Sequence, residues 1–334
     1  MVNSYDWCYV SGRVNVLDSS LLGDEFFRRI IYSNTTNAID EIHRIISDSP
    51  VKAYFPHAEG LYDADSMLSK YYKDRLTDIS ISSPDPAVCD IFLLRYDFLN
   101  LKNYIKEKFL HVPYERHPLG KMPDDLWDAL WKGEKGSLPE VFASSVALIK
   151  RNIGDGLSGV VIDSIIDNTY LCHILQKAEG IGSKMIENFI RKYQLVKGIE
   201  IIWRALSTGR ESELIPEFLF IISGLDKEEL LFRLTHLPVD KWNQILMDSF
   251  PKEQCERIFT GPPLERLKRF IIETDNYLYE ETKTPAYITF GPEQVFLYML
   301  GFTREVFNLG LAIKGRINTI PPALIEERLR KVYV

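Results

Sequence analysis

Three ten-residue segments of the chain repeat one pattern of apolar and basic residues. They span 97–106, 195–204 and 305–314, and their last residues are 98 and 110 positions apart. Four positions are apolar in every copy. Counted from the second residue of each segment as 0, they lie at 0, 3, 6 and 7: Phe98/Val196/Val306, Leu101/Ile199/Leu309, Tyr104/Ile202/Ala312 and Ile105/Trp203/Ile313. This spacing confines them to about a third of a helix circumference. Each segment therefore predicts an amphipathic helix with one buried stripe.

Helix signals recur along the chain, whereas strand signals do not. Gly291-Pro292-Glu293 places a proline and an acid at the start of an apolar-periodic segment that runs to about Gly315. Alternating apolar runs joined by Asn-Gly or Asp-Gly turns are missing, and 79–82 is the one short alternating candidate. The sequence predicts an all-α protein.

The nearly even spacing of the repeat favours three similar helical modules, at 1–112, 113–210 and 211–334. Length alone, at about 150 residues per domain, predicts about two domains. Short helical repeats of ~34–47 residues are excluded by the spacing, so we expect the modules to surround a pseudo-threefold axis rather than stack as a solenoid. The alternative to three related modules is that the three segments match only because each is an amphipathic helix. No Gly/Ser-rich or Pro-rich linker divides the chain, so the modules should pack together.

Charge and hydropathy exclude several classes of protein. The 40 Lys and Arg residues against 47 Asp and Glu give a net charge of −7, which argues against non-specific nucleic-acid binding. Uncharged stretches such as 294–303 stop at ten residues, whereas a spanning helix needs about 20. The first residues lack a signal-peptide pattern, and the four cysteines are widely separated. We expect a cytoplasmic protein with reduced thiols and no membrane-spanning segment.

One motif suggests metal chemistry. Asp124-Asp125-Leu-Trp-Asp128 fits the DDxxD pattern with which helical prenyl-diphosphate enzymes hold magnesium. The motif follows Pro123 directly, so its acids fall in the first turn of a helix, where the macrodipole favours them without a metal. No second aspartate-rich run completes a cluster. We expect no catalytic residue, metal or cofactor, with a magnesium-dependent enzyme as the alternative.

The last copy of the repeat lies in a recognisable context. Phe290-Gly-Pro-Glu-Gln-Val-Phe-Leu-Tyr298, followed by Glu305-Val-Phe-Asn308 and Lys314, resembles the C-terminal signature of the C subunit of archaeal and bacterial A/V-type ATPases, called subunit d in eukaryotic V-ATPases. Three further segments are similar to that family in the same order: Tyr9-Val-Ser-Gly-Arg13, Asp97-x-x-Asn100-Leu101 and His117-Pro-Leu-Gly120.

The resemblance implies a non-catalytic part of a rotary machine. Members of this family are all-α funnels with three similar domains around a central cavity. They lie on the cytoplasmic face of the membrane and join the central shaft, made of the D and F subunits, to the proteolipid ring that moves protons or sodium ions. The alternative is a helical scaffold that binds another protein complex.

Two sets of residues follow from the repeat. Lys106, Arg204 and Lys314 end the three copies, and we expect them to face the central opening and meet acidic shaft residues. Asp97 with Asn100, and Glu305 with Asn308, occupy equivalent positions three residues apart. We expect these four to be structural and to hydrogen-bond neighbouring backbone at the start of each repeat helix. The middle copy carries Leu195 and Gly198 instead.

Overall fold

The computed structural model describes residues 3–33, 37–111, 113–134, 139–152, 159–207, 209, 227–247, 250–259, 263–283 and 289–332, and these ranges contain no β-strand. The all-α prediction is confirmed. The α-helices are α1 (Cys8–Asp18), α2 (Asp24–Ile31), α3 (Ala38–Ser47), α4 (Ala64–Ser82), α5 (Ala87–Leu110), α6 (Asp124–Lys132), α7 (Glu140–Asn152), α8 (Gly159–Ile181), α9 (Lys184–Ser207), α10 (Lys227–His236), α11 (Asn243–Leu246), α12 (Lys252–Phe259), α13 (Pro263–Thr282), α14 (Pro292–Ile317) and α15 (Pro322–Glu326). Short 3-10 turns cover Ser4–Trp7, Pro50–Tyr54, Ala58–Asp63 and Val239–Lys241.

The chain forms two compact units. Unit 1 comprises Met1–Cys89 and Tyr279–Val334, and unit 2 comprises Asp90–Leu278. The borders fall inside α5 and α13, which explains why no linker composition marks them. The three modules at 1–112, 113–210 and 211–334, and their pseudo-threefold arrangement, stay predictions.

The three repeat segments lie in three long helices. They occupy α5, α9 and α14, which have 24, 24 and 26 residues. Eleven of the twelve residues in the shared apolar columns are buried, and Val306 is half-buried. The predicted buried stripe of each repeat helix is therefore confirmed, apart from that one position.

Helix α14 is the centre of unit 1. It begins at Pro292, directly after Gly291, as predicted, and contacts α1, α2, α3, α4 and α15. Its Phe302 ring stacks on Tyr72 at 5.7 Å between centroids and meets the edge of Tyr71 at 4.9 Å. These three aromatic side chains are buried and form the middle of the unit 1 core.

By length and composition, α14 is also the one helix of the described residues that could cross a membrane. In the structure, 67% of its most apolar window is buried. Its buried Arg304 donates from Nε to the carbonyl of Lys331 at 2.6 Å, and other buried polar side chains of α14 are also hydrogen-bonded within unit 1. The apolar character of α14 is therefore that of a core helix.

Two aromatic clusters in the described part of unit 2 include residues of the repeat helices. In the first, Phe98 of α5 packs on Phe142 of α7, which meets Trp127 of α6 edge-on at 5.3 Å between centroids. In the second, Trp203 of α9 contacts Trp242 at 4.9 Å and Phe270 of α13 at 5.5 Å. Because α5 and α9 supply the two central rings, the repeat helices again carry the core.

The packing of α14 makes a testable prediction at Gly315. A methyl group there would come within 2.6 Å of Ile325, which is buried on α15, so Gly315→Ala should destabilise the protein by about 1–3 kcal/mol through overpacking. The control is Gly12→Ala in α1, where nothing lies within 4 Å and helix propensity should add about 1 kcal/mol of stability. Urea unfolding measures both; equal shifts for the two variants would contradict the tight contact.

Candidate functional site

Asp97 and Asn100 of α5 hold the backbone of the segment 117–122, and we call this pair the α5 clamp. The Asp97 Oδ1 atom accepts the N–H groups of Lys121 at 2.6 Å and Met122 at 3.0 Å. The Asn100 side chain pairs with both backbone groups of His117, donating to its carbonyl at 3.0 Å and accepting its N–H at 2.7 Å. One face of α5 thus supplies four bonds to a segment without helical structure of its own.

Because the α5 clamp is buried, loss of its hydrogen bonds is costly. Asp97 and Asn100 are both buried, and burial raises the pKa of Asp97 while the two N–H groups that it accepts oppose the rise. A buried polar group that loses its partner costs about 1–3 kcal/mol. The segment 117–122 is therefore fixed to α5 by bonds that are costly to break.

Glu305 and Asn308 of α14 form an equivalent pair in unit 1, which we call the α14 clamp. Glu305 accepts the N–H of Leu22 at 2.6 Å and the hydroxyl of Tyr71 at 3.0 Å. Asn308 pairs with both backbone groups of Arg330, donating to its carbonyl at 2.7 Å and accepting its N–H at 2.8 Å. In both clamps the acid accepts a backbone N–H, and the asparagine pairs with the N–H and the C=O of a single residue.

The four clamp residues do not lie at the starts of their helices, where they were expected. All four residues lie in the interior of α5 and α14, so the expectation that they fix the start of each repeat helix is wrong. Their targets are backbone groups 17 to 283 residues away.

In the middle copy, Leu195 and Gly198 are buried, and the preceding Gln194 donates to the carbonyl of Leu171 at 2.7 Å. Sequence reasoning missed Gln194, although a lone amide beside an apolar stripe was the available signal.

Burial changes the ionisation of Glu305. Burial raises its pKa to about 7, against the opposing effects of the Leu22 N–H, the Tyr71 hydroxyl and the Arg75 charge. The carboxyl therefore gains its charge near neutral pH, inside the core of unit 1.

Each of the three predicted partner-binding cations is paired with an acid of its own chain. Lys106 lies 2.7 Å from Asp163, and its side chain is 19% exposed. Arg204 lies 2.5 Å from Glu200 and is 63% exposed. In unit 1, Lys314 lies 2.7 Å from Asp65 and is 48% exposed. Arg204 and Lys314 are therefore the members of the set that solvent reaches most easily.

Unit 2 also contains a cleft between α5, α8 and α9, which we call the basic cleft. It encloses about 240 Å³ and is lined by four cations, two acids, two tyrosines and four apolar side chains: Arg95, Lys102, Lys197, Arg204, Asp167, Glu200, Tyr170, Tyr193, Phe98, Leu99, Leu171 and Ile201. Lys102 bonds Asp167 at 2.6 Å and lies 3.6 Å from Asp163, the partner of Lys106. The structure thus brings Arg204 to the cleft and Lys106 to its border.

The basic cleft was not predicted from the sequence as a site. Its charged residues come from three helices, and only Arg204 belongs to the repeat pattern. The weak signal that was available is the i, i+4 spacing of Lys102 with Lys106, and of Asp163 with Asp167, which places each pair on one helix face.

Two acids of the DDxxD motif, Asp124 and Asp128, have separate cationic partners. Asp124 and Asp125 are in the first turn of α6, as expected, and Asp124 lies 3.5 Å from Arg116. Asp128 accepts the Tyr104 hydroxyl at 2.6 Å and lies 3.1 Å from Lys108, and these contacts lower its pKa. Across the described ranges, no group of three or more His, Cys, Asp or Glu side chains is arranged to hold a metal ion.

Glu305 predicts a pH-dependent stability. Its pKa is raised in the folded state, from an ordinary value of 4.5 to about 7, so the folded protein binds a proton that the unfolded chain releases. This proton stabilises the fold at low pH, and the stabilisation is lost as pH rises from about 4.5 to about 7. Glu305→Gln, which cannot titrate, should therefore be more stable relative to wild type at pH 8 than at pH 5.

Urea unfolding at both pH values measures this difference. Glu25→Gln, an exposed change in the same unit, reports the effect of removing a carboxyl elsewhere. A wild-type to Glu305→Gln difference that is identical at pH 5 and pH 8 would contradict the prediction.

The α5 clamp predicts coupling between Asn100 and Gly120. A methyl group at Gly120 would overlap the Asn100 amide, so Gly120→Ala should push that amide off His117. Asn100→Ala alone should cost about 1–3 kcal/mol. The double variant should cost less than the two single changes together, by about 0.5–3 kcal/mol, because one lost contact is shared. Urea unfolding of all three variants measures this, and strict additivity would show that the residues act independently.

Comparison with known families shows which family the chain belongs to. The family model described as ATP synthase (C/AC39) subunit matches residues 10–328. A comparison with curated proteins finds no match. The family match includes both clamps and the three repeat helices, and it agrees with the resemblance seen in the repeat segments. The chain therefore belongs to the ATP synthase (C/AC39) subunit family of A/V-type ATPases.

Proposed function

We propose that this chain is a non-catalytic central-stalk subunit that joins the D and F shaft subunits to the proteolipid ring. The observation that carries the proposal is the family match over residues 10–328. In this role the chain lies on the cytoplasmic face of the membrane as a peripheral part of the complex. It transmits the rotation driven by ATP to the ring that moves protons or sodium ions.

A transmitter of torque must resist deformation, and features of each unit support that property. Close-packed protein interiors have low compressibility and transmit strain. The α5 clamp and the α14 clamp add bonds from helix interiors to non-helical backbone, which hold these segments firmly. Such a body couples two partners without taking part in any bond-making step.

The three basic residues at the ends of the repeat copies are the proposed shaft contacts. Lys106, Arg204 and Lys314 occupy one repeat position, and we place them at the central opening of a three-module body. Arg204 and Lys314 are exposed enough to reach an acidic partner, while Lys106 is largely covered by its pair with Asp163. Complementary charges speed the association and orient the partners.

The coupling role is tested by reconstitution. An ATPase complex assembled without this chain should hydrolyse ATP without transporting ions, because nothing connects the shaft to the ring. Addition of the chain should restore ATP-driven transport into vesicles. A purified complex that pumps ions equally well without the chain, or a chain that co-purifies with no rotary ATPase subunit, would contradict the role and favour a scaffold for another complex.

The shaft contacts are tested by charge reversal. The double variant Arg204→Glu with Lys314→Glu should bind an isolated shaft subcomplex about tenfold or more weakly at low salt, because two attractive contacts become repulsive. The matched control is Lys184→Glu with Arg28→Glu, which reverses an exposed, ion-paired cation in each unit. Equal affinity of the test and control variants, both folded by circular dichroism, would remove these residues from the interface.

A further inference from the structure

More cations than carboxylates line the basic cleft of unit 2. Four cations line it against two carboxylates, whereas the whole chain carries a net charge of −7. The buried Glu200 lies 2.7 Å from Lys197 and 2.5 Å from Arg204, so one acid serves two cations. The cleft is therefore a local site of positive charge on an acidic protein, and an anion suits it.

Two tyrosines supply the second observation. Tyr170 of α8 and Tyr193 of α9 line the cleft, and within the described part of the chain neither hydroxyl has a hydrogen-bond partner. Burial raises the pKa of Tyr170, and raises the pKa of Tyr193 to about 12, so both stay protonated near neutral pH. A neutral phenol donates a strong, short hydrogen bond to a carboxylate.

The size and lining of the cleft indicate what kind of anion enters. Its volume of about 240 Å³ is below the roughly 300–1,000 Å³ typical of cofactor and drug-sized sites, so it fits one or two side chains. Leu99 and Ile201 add apolar surface beside the charges. This combination of apolar contact and surplus positive charge suits the side chains of an amphipathic acidic helix better than a free inorganic ion.

We propose that the basic cleft seats a carboxylate side chain from an acidic helix of a partner protein. The hydroxyls of Tyr170 and Tyr193 donate hydrogen bonds to the carboxylate. The guanidinium groups of Arg204 and Arg95 attract it electrostatically. Lys102 and Lys197 add positive charge to the lining of the cleft. The identification of that partner as the shaft rests on the proposed function. Binding of a carboxylate in the cleft is tested with a peptide, independently of the shaft.

The binding test uses the full chain and a fluorescein-labelled amphipathic helical peptide with glutamates at i and i+4. Fluorescence anisotropy should show saturable binding that weakens with added salt. Tyr170→Phe with Tyr193→Phe removes only the two hydroxyls and should weaken binding about tenfold or more, since hydrogen bonds to a charged group are stronger than those between neutral groups. Tyr114→Phe, outside the cleft in the same unit, is the matched control.

Three results would overturn the inference. One is unchanged affinity in the Tyr170→Phe with Tyr193→Phe variant. Another is equal binding of a peptide in which glutamine replaces each glutamate, and the third is free glutarate binding as tightly as the peptide.

The same tyrosine variant in the reconstituted ATPase separates the two proposals. Impaired shaft capture supports the shaft as the partner. Normal capture by a variant that no longer binds the peptide would exclude the shaft from the cleft, while the coupling role would stand on the transport measurement.

Discussion

Hydrogen bonds from buried helix side chains to non-helical backbone are the interaction on which the ordered loops of both units depend. In each clamp, an acid and an asparagine three residues apart lie on one face of a long helix. In unit 1, α14 holds Leu22 near one end of the chain and Arg330 near the other. These segments cannot satisfy their N–H and C=O groups by forming a helix, so a neighbouring side chain must do so. The same constraint explains why both clamps use an asparagine, whose amide donates to the C=O and accepts from the N–H of a single residue.

The middle repeat copy shows where this constraint is absent. The partner of α9 is α8, a helix joined to it by a tight turn at Gly182, where φ is +78°. The backbone of α8 is already bonded within its own helix and needs no clamp from α9, and Leu195 and Gly198 are buried at the positions where the other copies carry one. Gln194 adds a single bond to Leu171. The departure of the middle copy from the pattern therefore follows from what packs against it.

The sequence predicted what depends on local periodicity and missed what depends on long-range contact. The apolar columns found the buried faces of α5, α9 and α14, since a period of 3.6 residues is visible within ten residues. The start of α14 at Pro292 was equally local. The clamp targets His117, Leu22 and Arg330 carry no signal of their own, because every residue except proline offers the same backbone N–H donor and C=O acceptor. The basic cleft was hidden for a related reason, since α5, α8 and α9 each contribute only part of its charge.

The existing ion pairs constrain the proposed binding of an acidic partner. Each predicted contact already has an internal acid, so association exchanges ion pairs and adds none outright. The exchange at Arg204 leaves the buried Glu200 paired with Lys197, which avoids the large penalty of an unpaired buried charge. At Lys314 the internal partner Asp65 is 76% exposed, and such surface pairs are worth only about 0–1 kcal/mol. Because breaking the internal ion pair of Arg204 or Lys314 costs little free energy, a weak interaction with a partner's acid is enough to replace it. In the proposed function such a contact is reversible and salt-sensitive, so the chain could join a complex and leave it without unfolding.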